Sequence, residues 1–149
     1  MKINCSVRMA DVSEKNPSER IAKARGRIKL KKETVKLIKQ NRAPKGDIFA
    51  PAKIAAISAA KSTQHIIPLC HPLRIDFCDA EFYIFPESIE VETTVKTFDR
   101  TGAEMEAMTA AAAALLSMYD MLKPVDRSII IQDIKLVYKS GGKSGTWQR

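Results

Sequence analysis

Long apolar runs are missing from this sequence of 149 residues, so it offers no candidate membrane span. The first residues, Met1 to Asp11, also lack the continuous apolar stretch of a secretory signal peptide. Cysteine is scarce, at positions 5, 70 and 78, which is too few and too scattered for a disulfide framework. Together these absences predict a protein of the reducing cytoplasm.

Aromatic residues are also scarce, at 6% of the chain, although the formal net charge is +8. A basic chain favours an anionic partner: nucleic acid, a membrane surface or a phosphorylated small molecule. Nucleic-acid-binding proteins usually add aromatic side chains that stack on bases, whereas the single tryptophan here, Trp147, is almost terminal. The composition therefore favours a polyphosphate ligand, although solvated surface lysines explain much of the charge equally well. A non-catalytic nucleotide- or RNA-binding protein is the competing hypothesis.

Metal ligands are few, because the chain has only two histidines, His65 and His71. Neither forms a recognised metal-binding spacing with Cys70 or Cys78. We therefore expect no metal site.

The glycine- and lysine-rich end of the chain is not a P-loop, despite the Gly-Lys-Ser sequence at positions 142–144. A P-loop requires glycine where Val137 stands, and a helix after the motif, for which no pattern is present. A loop that places Lys143 against a phosphate and a frayed terminus are both compatible with this composition.

Hydrophobic periodicity divides the chain into a polar arm, residues 1–19, and one domain, residues 20–149, that ends in a mobile tail at 139–149. The predicted elements are a strand at 21–30, helices at 33–40 and 48–61, strands at 74–85 and 89–98, a helix at 103–121 and a strand at 128–138. This order, β-α-α-β-β-α-β, favours an α+β fold. The two long alanine-rich helices then cover one face of an antiparallel sheet.

Three short signals predict local geometry. Gly26, inside the first strand, indicates a β-bulge or a close backbone approach. Asp47 is a candidate N-cap for the second helix. Thr101 and Glu104 fit the capping box S/T-x-x-E at the start of the last helix, which gives Glu104 a purely structural explanation.

The segment Ile67–Leu73 is the most unusual, because two prolines bracket Cys70 and His71. Each proline fixes its own φ and biases the preceding residue towards extended backbone. His71 is therefore expected on a stiff connector between a helix and a strand. Imidazole titrates near neutrality, so a histidine held in this way is a candidate acid, base or anion ligand. A rigid connector whose histidine caps a buried group explains the segment equally well.

Acidic residues occupy both ends of the last predicted helix. Glu104 and Glu106 lie at its start and point about 200° apart, so only one is expected to face a given site. Asp120 lies near the C-terminus, where the helix dipole disfavours an acid, and Lys123 is placed to neutralise it. Such a pair is a candidate for proton transfer, but the spacing alone favours an ordinary ion pair.

The same helix predicts a site shared between two subunits. Glu106 and Asp120 are fourteen positions apart, which is roughly 21 Å along the helix axis. They share a side of the helix but not an end. A two-fold partner would bring one end beside the opposite end of the other chain's helix.

Eight segments match one known family in order over almost the whole chain: Asp11–Ser13, Ala24–Ile28, Pro44–Asp47, Ile67–Leu73, Arg100–Thr109, Tyr119–Met121, Val125–Arg127 and Lys139–Gly145. By these segments the sequence resembles the cyclic pyranopterin monophosphate synthase family, also called molybdenum cofactor biosynthesis protein C. The resemblance implies a ferredoxin-like subunit in a hexamer, a trimer of dimers with sites at subunit interfaces.

The resemblance also implies a lyase activity. The substrate would be 3′,8-cyclo-7,8-dihydroguanosine 5′-triphosphate, derived from GTP, and the products cyclic pyranopterin monophosphate and pyrophosphate. No organic cofactor is implied; Mg²⁺ is compatible with the triphosphate, but the sequence shows no site for it. The resemblance assigns catalytic roles to Asp120, Lys123 and Lys139. It assigns substrate binding to Lys45, Cys70, His71, Glu104, Met105 and Glu106. Lys143 is a further candidate, as a phosphate contact.

Overall fold

The structure, a computed structural model, describes residues 1, 3 and 6–149. Within that range the elements are β1 (Ser18–Lys29), α1 (Lys32–Lys39), α2 (Phe49–Ile66), β2 (Phe77–Phe85), β3 (Ser88–Asp99), α3 (Glu104–Leu122), β4 (Ile130–Ser140) and β5 (Trp147–Gln148). The predicted elements are confirmed in type and order, and the short strand β5 is an addition to them. Cys5 lies outside the described residues.

One antiparallel sheet contains all five strands, in the order β2-β3-β1-β4-β5. β1 lies in its middle, where Ala22 pairs with Val95 of β3 on one side and with Lys139 of β4 on the other. The turn at Pro86 and Glu87 joins β2 to β3, as the sequence predicts. The first four strands and the two long helices follow the β-α-β-β-α-β plan of the ferredoxin-like fold, which confirms the predicted fold class.

The two long helices pack against each other on one face of the sheet. α3 covers β1, β3 and β4, whereas α2 covers β2. Small side chains allow the close approach: Ala52, Ala56 and Ala60 follow helical spacing along α2 and are buried. The sheet contributes larger residues at every second position of β3, as the predicted alternation requires. The buried members on β3 are Ile89, Val91, Thr93, Val95 and Thr97.

Gly26 shows both features that its position predicts. The pairing of β1 with β4 shifts register between Arg25 and Arg27, so a bulge lies at the glycine. A Cβ at position 26 would lie 2.7 Å from Cδ1 of Leu115 on α3. A side chain here would therefore force the buried Leu115 side chain to shift.

The opposite face of the sheet carries ion pairs and is not covered by a helix of the described chain. Glu92 lies 2.5 Å from Arg25 and 3.5 Å from Lys23, and Arg27 pairs with Glu90. A cavity of about 880 Å³ lies on this face. None of the predicted site residues lines it, so it is not the predicted site.

The helix starts differ partly from the predictions. The N-cap of α2 is Ile48 and not Asp47, so that prediction is wrong by one position, although Asp47 accepts a hydrogen bond from the backbone N–H of Phe49 at 2.8 Å. The capping box at α3 is wrong, because Ala103 is the N-cap and no side chain caps this helix. Glu104 is the first helical residue, too early in the helix for a capping-box acid.

Candidate active site

His71 lies on the connector between α2 and β2, and the N-terminal arm contacts it. Its Nε2 atom lies 2.7 Å from the backbone oxygen of Ala10. Beside Ala10, the carboxylate of Asp11 accepts hydrogen bonds from the hydroxyl and the backbone N–H of Ser13, at 2.6 and 2.9 Å. These hydrogen bonds lower the pKa of Asp11. The arm, although separated from His71 by 61 positions, therefore forms part of its surroundings.

A cavity of about 320 Å³ opens beside His71 at the N-terminal end of α3. Five of the predicted substrate-binding residues line it: Cys70, His71, Glu104, Met105 and Glu106. The arm, the connector and the loop before α3 contribute the rest of the wall: Ala10, Val12, Lys15, Leu69, Thr101 and Gly102. The structure thus gathers residues that are far apart in the sequence around one space.

Both glutamates of α3 face this cavity, so the expectation that only one could do so is wrong. The cavity lies at the end of the helix rather than along one side, and side chains of the first turn reach it from different directions. Glu106 is only 4% exposed. Burial raises the pKa of Glu106 to about 7, and the charge of Glu104 adds to the rise. A carboxyl that titrates near neutrality is suited to general acid–base catalysis.

Cys70 is a neutral thiol in this setting. Burial is the main cause that raises its pKa, and the charge of Glu106 adds to it. The thiolate is the nucleophilic form of cysteine. Cys70 therefore fits substrate contact better than nucleophilic catalysis.

Lys139 extends this site from the sheet. Its Nζ lies 3.0 Å from Oε1 of Glu104, and both side chains are partly exposed. The residue lies within β4 and pairs with Ala22 of β1 and Trp147 of β5, so its predicted place at the start of a mobile tail is wrong. A strand position gives this ammonium group a defined backbone anchor.

Asp120 and Lys123 form the ion pair that their spacing predicts, at the C-terminal end of α3. Lys123 Nζ lies 2.8 Å from one carboxylate oxygen, and Lys45 Nζ lies 3.1 Å from the other. Lys45 also donates to the backbone oxygen of Asp120 at 3.1 Å. Hydrogen bonds from Lys123 and then Lys45 lower the pKa of Asp120, and Asp120 in turn raises the pKa of Lys123. The result is an exposed carboxylate held in its ionised form by two ammonium groups.

A single chain does not bring these two groups of residues together. Glu104 begins α3, and Asp120 lies sixteen positions later in the same helix. The rise of the helix separates them by about 24 Å. The reacting ring of one ligand cannot contact both ends of α3 in one subunit.

Lys143 lies at a different cavity, of about 480 Å³, between the arm and the C-terminal segment. Lys15 lines both this cavity and the one beside His71. No sequence pattern indicates a role for Lys15 or for Arg20, which also lines this cavity. Their part in the site depends on the path of the arm, which no local pattern indicates.

Asp126 is a buried carboxylate with a structural role. It accepts hydrogen bonds from the backbone N–H of Lys31 at 2.9 Å and from the hydroxyl of Thr34 at 3.0 Å. Ser128 donates two more, from its backbone N–H and its hydroxyl, at 2.9 and 2.7 Å. Burial opposes ionisation, but the hydrogen bonds outweigh it and lower the pKa of Asp126. The residue ties the start of α1 to the turn before β4.

Residues 1, 3 and 6–149 contain no group of three or more histidine, cysteine, aspartate or glutamate side chains placed to hold a metal ion. The described helices include none with the length and apolar character needed to cross a membrane.

Fold and site together define a ferredoxin-like α+β protein with a cavity at one end of a helix, lined by two glutamates and next to cationic side chains. Residues 9–142 match the model of the MoaC family. The chain belongs to this family.

Its relatives include proteins named cyclic pyranopterin monophosphate synthase. The chain is 49% identical over 144 residues to that of Thermomicrobium roseum, with 95% of this chain and 87% of the relative covered. It is 48% identical over 143 residues to that of Novosphingobium aromaticivorans, with 96% and 91% covered. For Streptomyces griseus the identity is 45% over 144 residues, with 97% and 81% covered. The competing hypothesis of a non-catalytic nucleotide- or RNA-binding protein has no support among these relatives.

Proposed function

We propose that this chain is a lyase that converts 3′,8-cyclo-7,8-dihydroguanosine 5′-triphosphate to cyclic pyranopterin monophosphate and pyrophosphate, a step of molybdenum cofactor biosynthesis. The observation that carries the proposal is the family match over residues 9–142. That range contains every predicted site residue except Lys143. The relatives that share up to 49% identity with nearly all of this chain are synthases by name.

The proposed reaction opens a ring by hydrolysis, forms the pterin ring and closes a cyclic phosphate at the α-phosphate. These steps move protons and develop negative charge, without a redox change. Glu106, with its pKa near 7, suits a proton carrier, and Lys139 suits stabilisation of developing charge. No organic cofactor is needed, and Mg²⁺ is expected only as an ion bound to the triphosphate of the substrate.

The proposed active site is shared between two subunits. The acidic end of α3, with Glu104 and Glu106, and the Lys45–Asp120–Lys123 end lie about 24 Å apart in one chain. A two-fold axis would place the acidic end of one α3 beside the other end of the partner's helix. We infer a homodimer as the smallest active unit, and a hexamer assembled from three such dimers, in the cytoplasm.

The test of the activity is direct incubation of the purified protein with the cyclic dihydroguanosine triphosphate. We expect cyclic pyranopterin monophosphate and one equivalent of pyrophosphate, and loss of both products in the His71→Ala variant. The matched control is Asp79→Asn, which removes a partly exposed ion pair with Lys53 outside the site. Tight, sequence-tolerant RNA binding without turnover would instead establish the competing hypothesis.

A further inference from the structure

The segment Val125–Arg127 is one of those that carry the family resemblance, yet it has no place in the site described above. Its central residue, Asp126, is 1% exposed and lines none of the cavities described above. Its Oδ2 atom accepts hydrogen bonds from Lys31 and Thr34, and its Oδ1 atom accepts two from Ser128. A carboxylate has about four acceptor positions, and all four are occupied here. Asp126 is therefore not free to contact a ligand, and any role in turnover must act through other residues.

Asp126 caps α1 from a distant part of the chain. Lys31 is the N-cap of this helix, and α1 has no side-chain cap of its own. In a capping box, an acid at the third helical position accepts from the N–H of the N-cap. In α1 that position is Thr34, which instead donates its hydroxyl to the oxygen of Asp126 that binds the Lys31 N–H. Asp126 therefore fixes where α1 begins relative to the end of α3.

The other end of α1 leads directly to Lys45. Five residues separate the helix from this lysine, and the chain turns there through a hydrogen bond from the N–H of Arg42 to the oxygen of Leu37, at 2.9 Å. Lys45 then donates from Nζ to the backbone oxygen and to Oδ2 of Asp120, at 3.1 Å each. The position of α1 therefore determines where Lys45 meets Asp120.

A second turn joins Asp126 to the cation on the other side of Asp120. Lys123 is the C-cap of α3, and its Nζ lies 2.8 Å from Oδ1 of Asp120. The backbone N–H of Asp126 donates to the oxygen of Leu122, the residue before Lys123, at 3.1 Å. The contacts thus form a closed circuit that runs from Asp126 through α1 and Lys45 to Asp120, and returns through the end of α3.

We propose that Asp126 is a positioning residue that holds Lys45 and Lys123 against the two carboxylate oxygens of Asp120. The importance of this arrangement for turnover rests on the proposed function, whereas the arrangement itself does not. Burial opposes ionisation of Asp126, but its hydrogen bonds outweigh burial and lower its pKa. The ionised form, which can accept all four hydrogen bonds, is therefore the form present at neutral pH.

Matched variants separate the two sides of Asp126. Thr34→Val removes the hydroxyl that donates from α1, and Ser128→Ala removes the hydroxyl that donates from the turn before β4. Each variant keeps Asp126 and a backbone donor to the same oxygen, so each loses one hydrogen bond. Only the loss on the α1 side is expected to displace Lys45. Thr34→Ser keeps the hydroxyl and serves as the conservative rescue.

The readout is the reactivity of Lys45 with trace acetic anhydride, which is measured by mass spectrometry and needs no turnover. An ammonium group that donates to a carboxylate must leave it before the amine can react. We expect the reactivity of Lys45 to rise about 2- to 5-fold in Thr34→Val, as for the loss of an exposed ion pair. It should keep the parent value in Ser128→Ala and Thr34→Ser. Lys53, which pairs with Asp79 at 2.6 Å, is the internal reference in every protein.

An equal rise at Lys45 in Thr34→Val and Ser128→Ala, or no rise in either, would overturn the inference. A joint rise at Lys45 and Lys53 would overturn it as well, because it would mean a general loosening of the protein. A selective rise at Lys45 in a protein without turnover would support the positioning role and count against the proposed function alone.

A double-mutant cycle on turnover provides the second test. If Thr34→Val acts through Lys45, it should lower kcat by about 10-fold, since small displacements of a positioned group are costly. It should have no further effect on the residual rate of Lys45→Ala, because the group it displaces is already absent. Ser128→Ala should leave kcat unchanged in both backgrounds. Effects of Thr34→Val and Lys45→Ala that simply multiply would overturn the inference.

Discussion

The imidazole Nε2 of His71 lies 2.7 Å from the backbone oxygen of Ala10. A carbonyl oxygen only accepts hydrogen bonds, so Nε2 carries a proton, and the neutral ring keeps its lone pair on Nδ1. The position of Ala10 depends on the turn in which Asp11 accepts two hydrogen bonds from Ser13. The arm therefore sets which nitrogen of His71 can accept a proton.

Replacing Asp11 by alanine is expected to remove the preference of the His71 ring for a proton on Nε2. The turn loses both hydrogen bonds, so the Ala10 oxygen no longer holds Nε2. The measurement is ¹⁵N NMR of histidine-labelled protein, in which only His65 and His71 contribute and His65→Gln provides the assignment. We expect an Nε2–H signal in the parent protein and in Asp11→Asn, which keeps an accepting oxygen, but a mixture in Asp11→Ala. A protonated Nδ1 in the neutral parent ring would contradict this prediction.

Glu106 should make the protein less stable as the pH rises from about 5 to 8. Its pKa is raised by burial to about 7 in the folded state, above the value of about 4.3 expected when unfolded. The folded state therefore binds more protons between these values, and the free energy of unfolding falls as the pH increases. Glu106→Gln should remove this loss, which amounts to about 1–3 kcal/mol.

Urea unfolding of the parent and of Glu106→Gln at several pH values provides the measurement. The difference between the two proteins should grow between pH 5 and 8 in favour of the variant. Glu87→Gln, at an exposed turn position, serves as the control and should follow the parent at every pH. If the difference in the free energy of unfolding between Glu106→Gln and the parent did not depend on pH, the pKa of this carboxyl would not be raised.

Lys139→Ala is expected to reduce turnover by about 100-fold or more while the fold persists. The ammonium group bonds Glu104 at 3.0 Å beside the cavity, and the side chain is partly exposed, so its removal leaves no core cavity. Turnover and melting temperature are compared with those of Lys135→Ala, on the same strand but outside this cavity. Near-normal turnover of Lys139→Ala would remove the residue from the catalytic set.

Asp120→Asn should slow the reaction with little effect on thermal stability. The substitution keeps the shape but removes the charge that two lysines neutralise, and the carboxylate is 58% exposed. Exposed ion pairs contribute little to stability. Asp79→Asn breaks a partly exposed pair with Lys53 and should leave the rate unchanged. A large fall in melting temperature with normal turnover would reduce Asp120 to a structural ion pair.

Mixing two inactive variants tests whether the site is shared. His71→Ala and Asp120→Asn proteins are combined under conditions that exchange subunits. If the two residues come from different chains, each mixed dimer regains one intact site and part of the activity returns. Mass spectrometry of isotope-labelled subunits verifies exchange, and complete inactivity after proven exchange would place both residues in one chain's site.

The sequence predicts those parts of the fold that depend on local pattern. The alternation along β3 identifies its buried face, and Gly26 marks both a bulge and a close approach. β5 escapes prediction because two residues, Trp147 and Gln148, carry no periodicity. The capping box at Glu104 fails because a four-residue motif does not say where the helix begins.

The candidate site is less accessible to such reasoning, because its contacts join distant segments. The Asp120–Lys123 pair follows from helical spacing. Nothing local indicates that Ala10 reaches His71, or that Lys139 reaches Glu104 across 35 positions. The family resemblance supplies residue roles, and the fold supplies the proximity.

The central place of β1 has a consequence for the synthesis of the chain. Its partners β3 and β4 follow much later, and about 100 residues separate the end of β1 from the start of β4. At roughly 5–20 residues per second, a ribosome needs about 5–20 s to produce that interval. Until β3 and β4 have been synthesised, the backbone hydrogen-bonding groups of β1 have no partner strand. During this delay, β1 in the nascent chain must be protected from pairing with other chains.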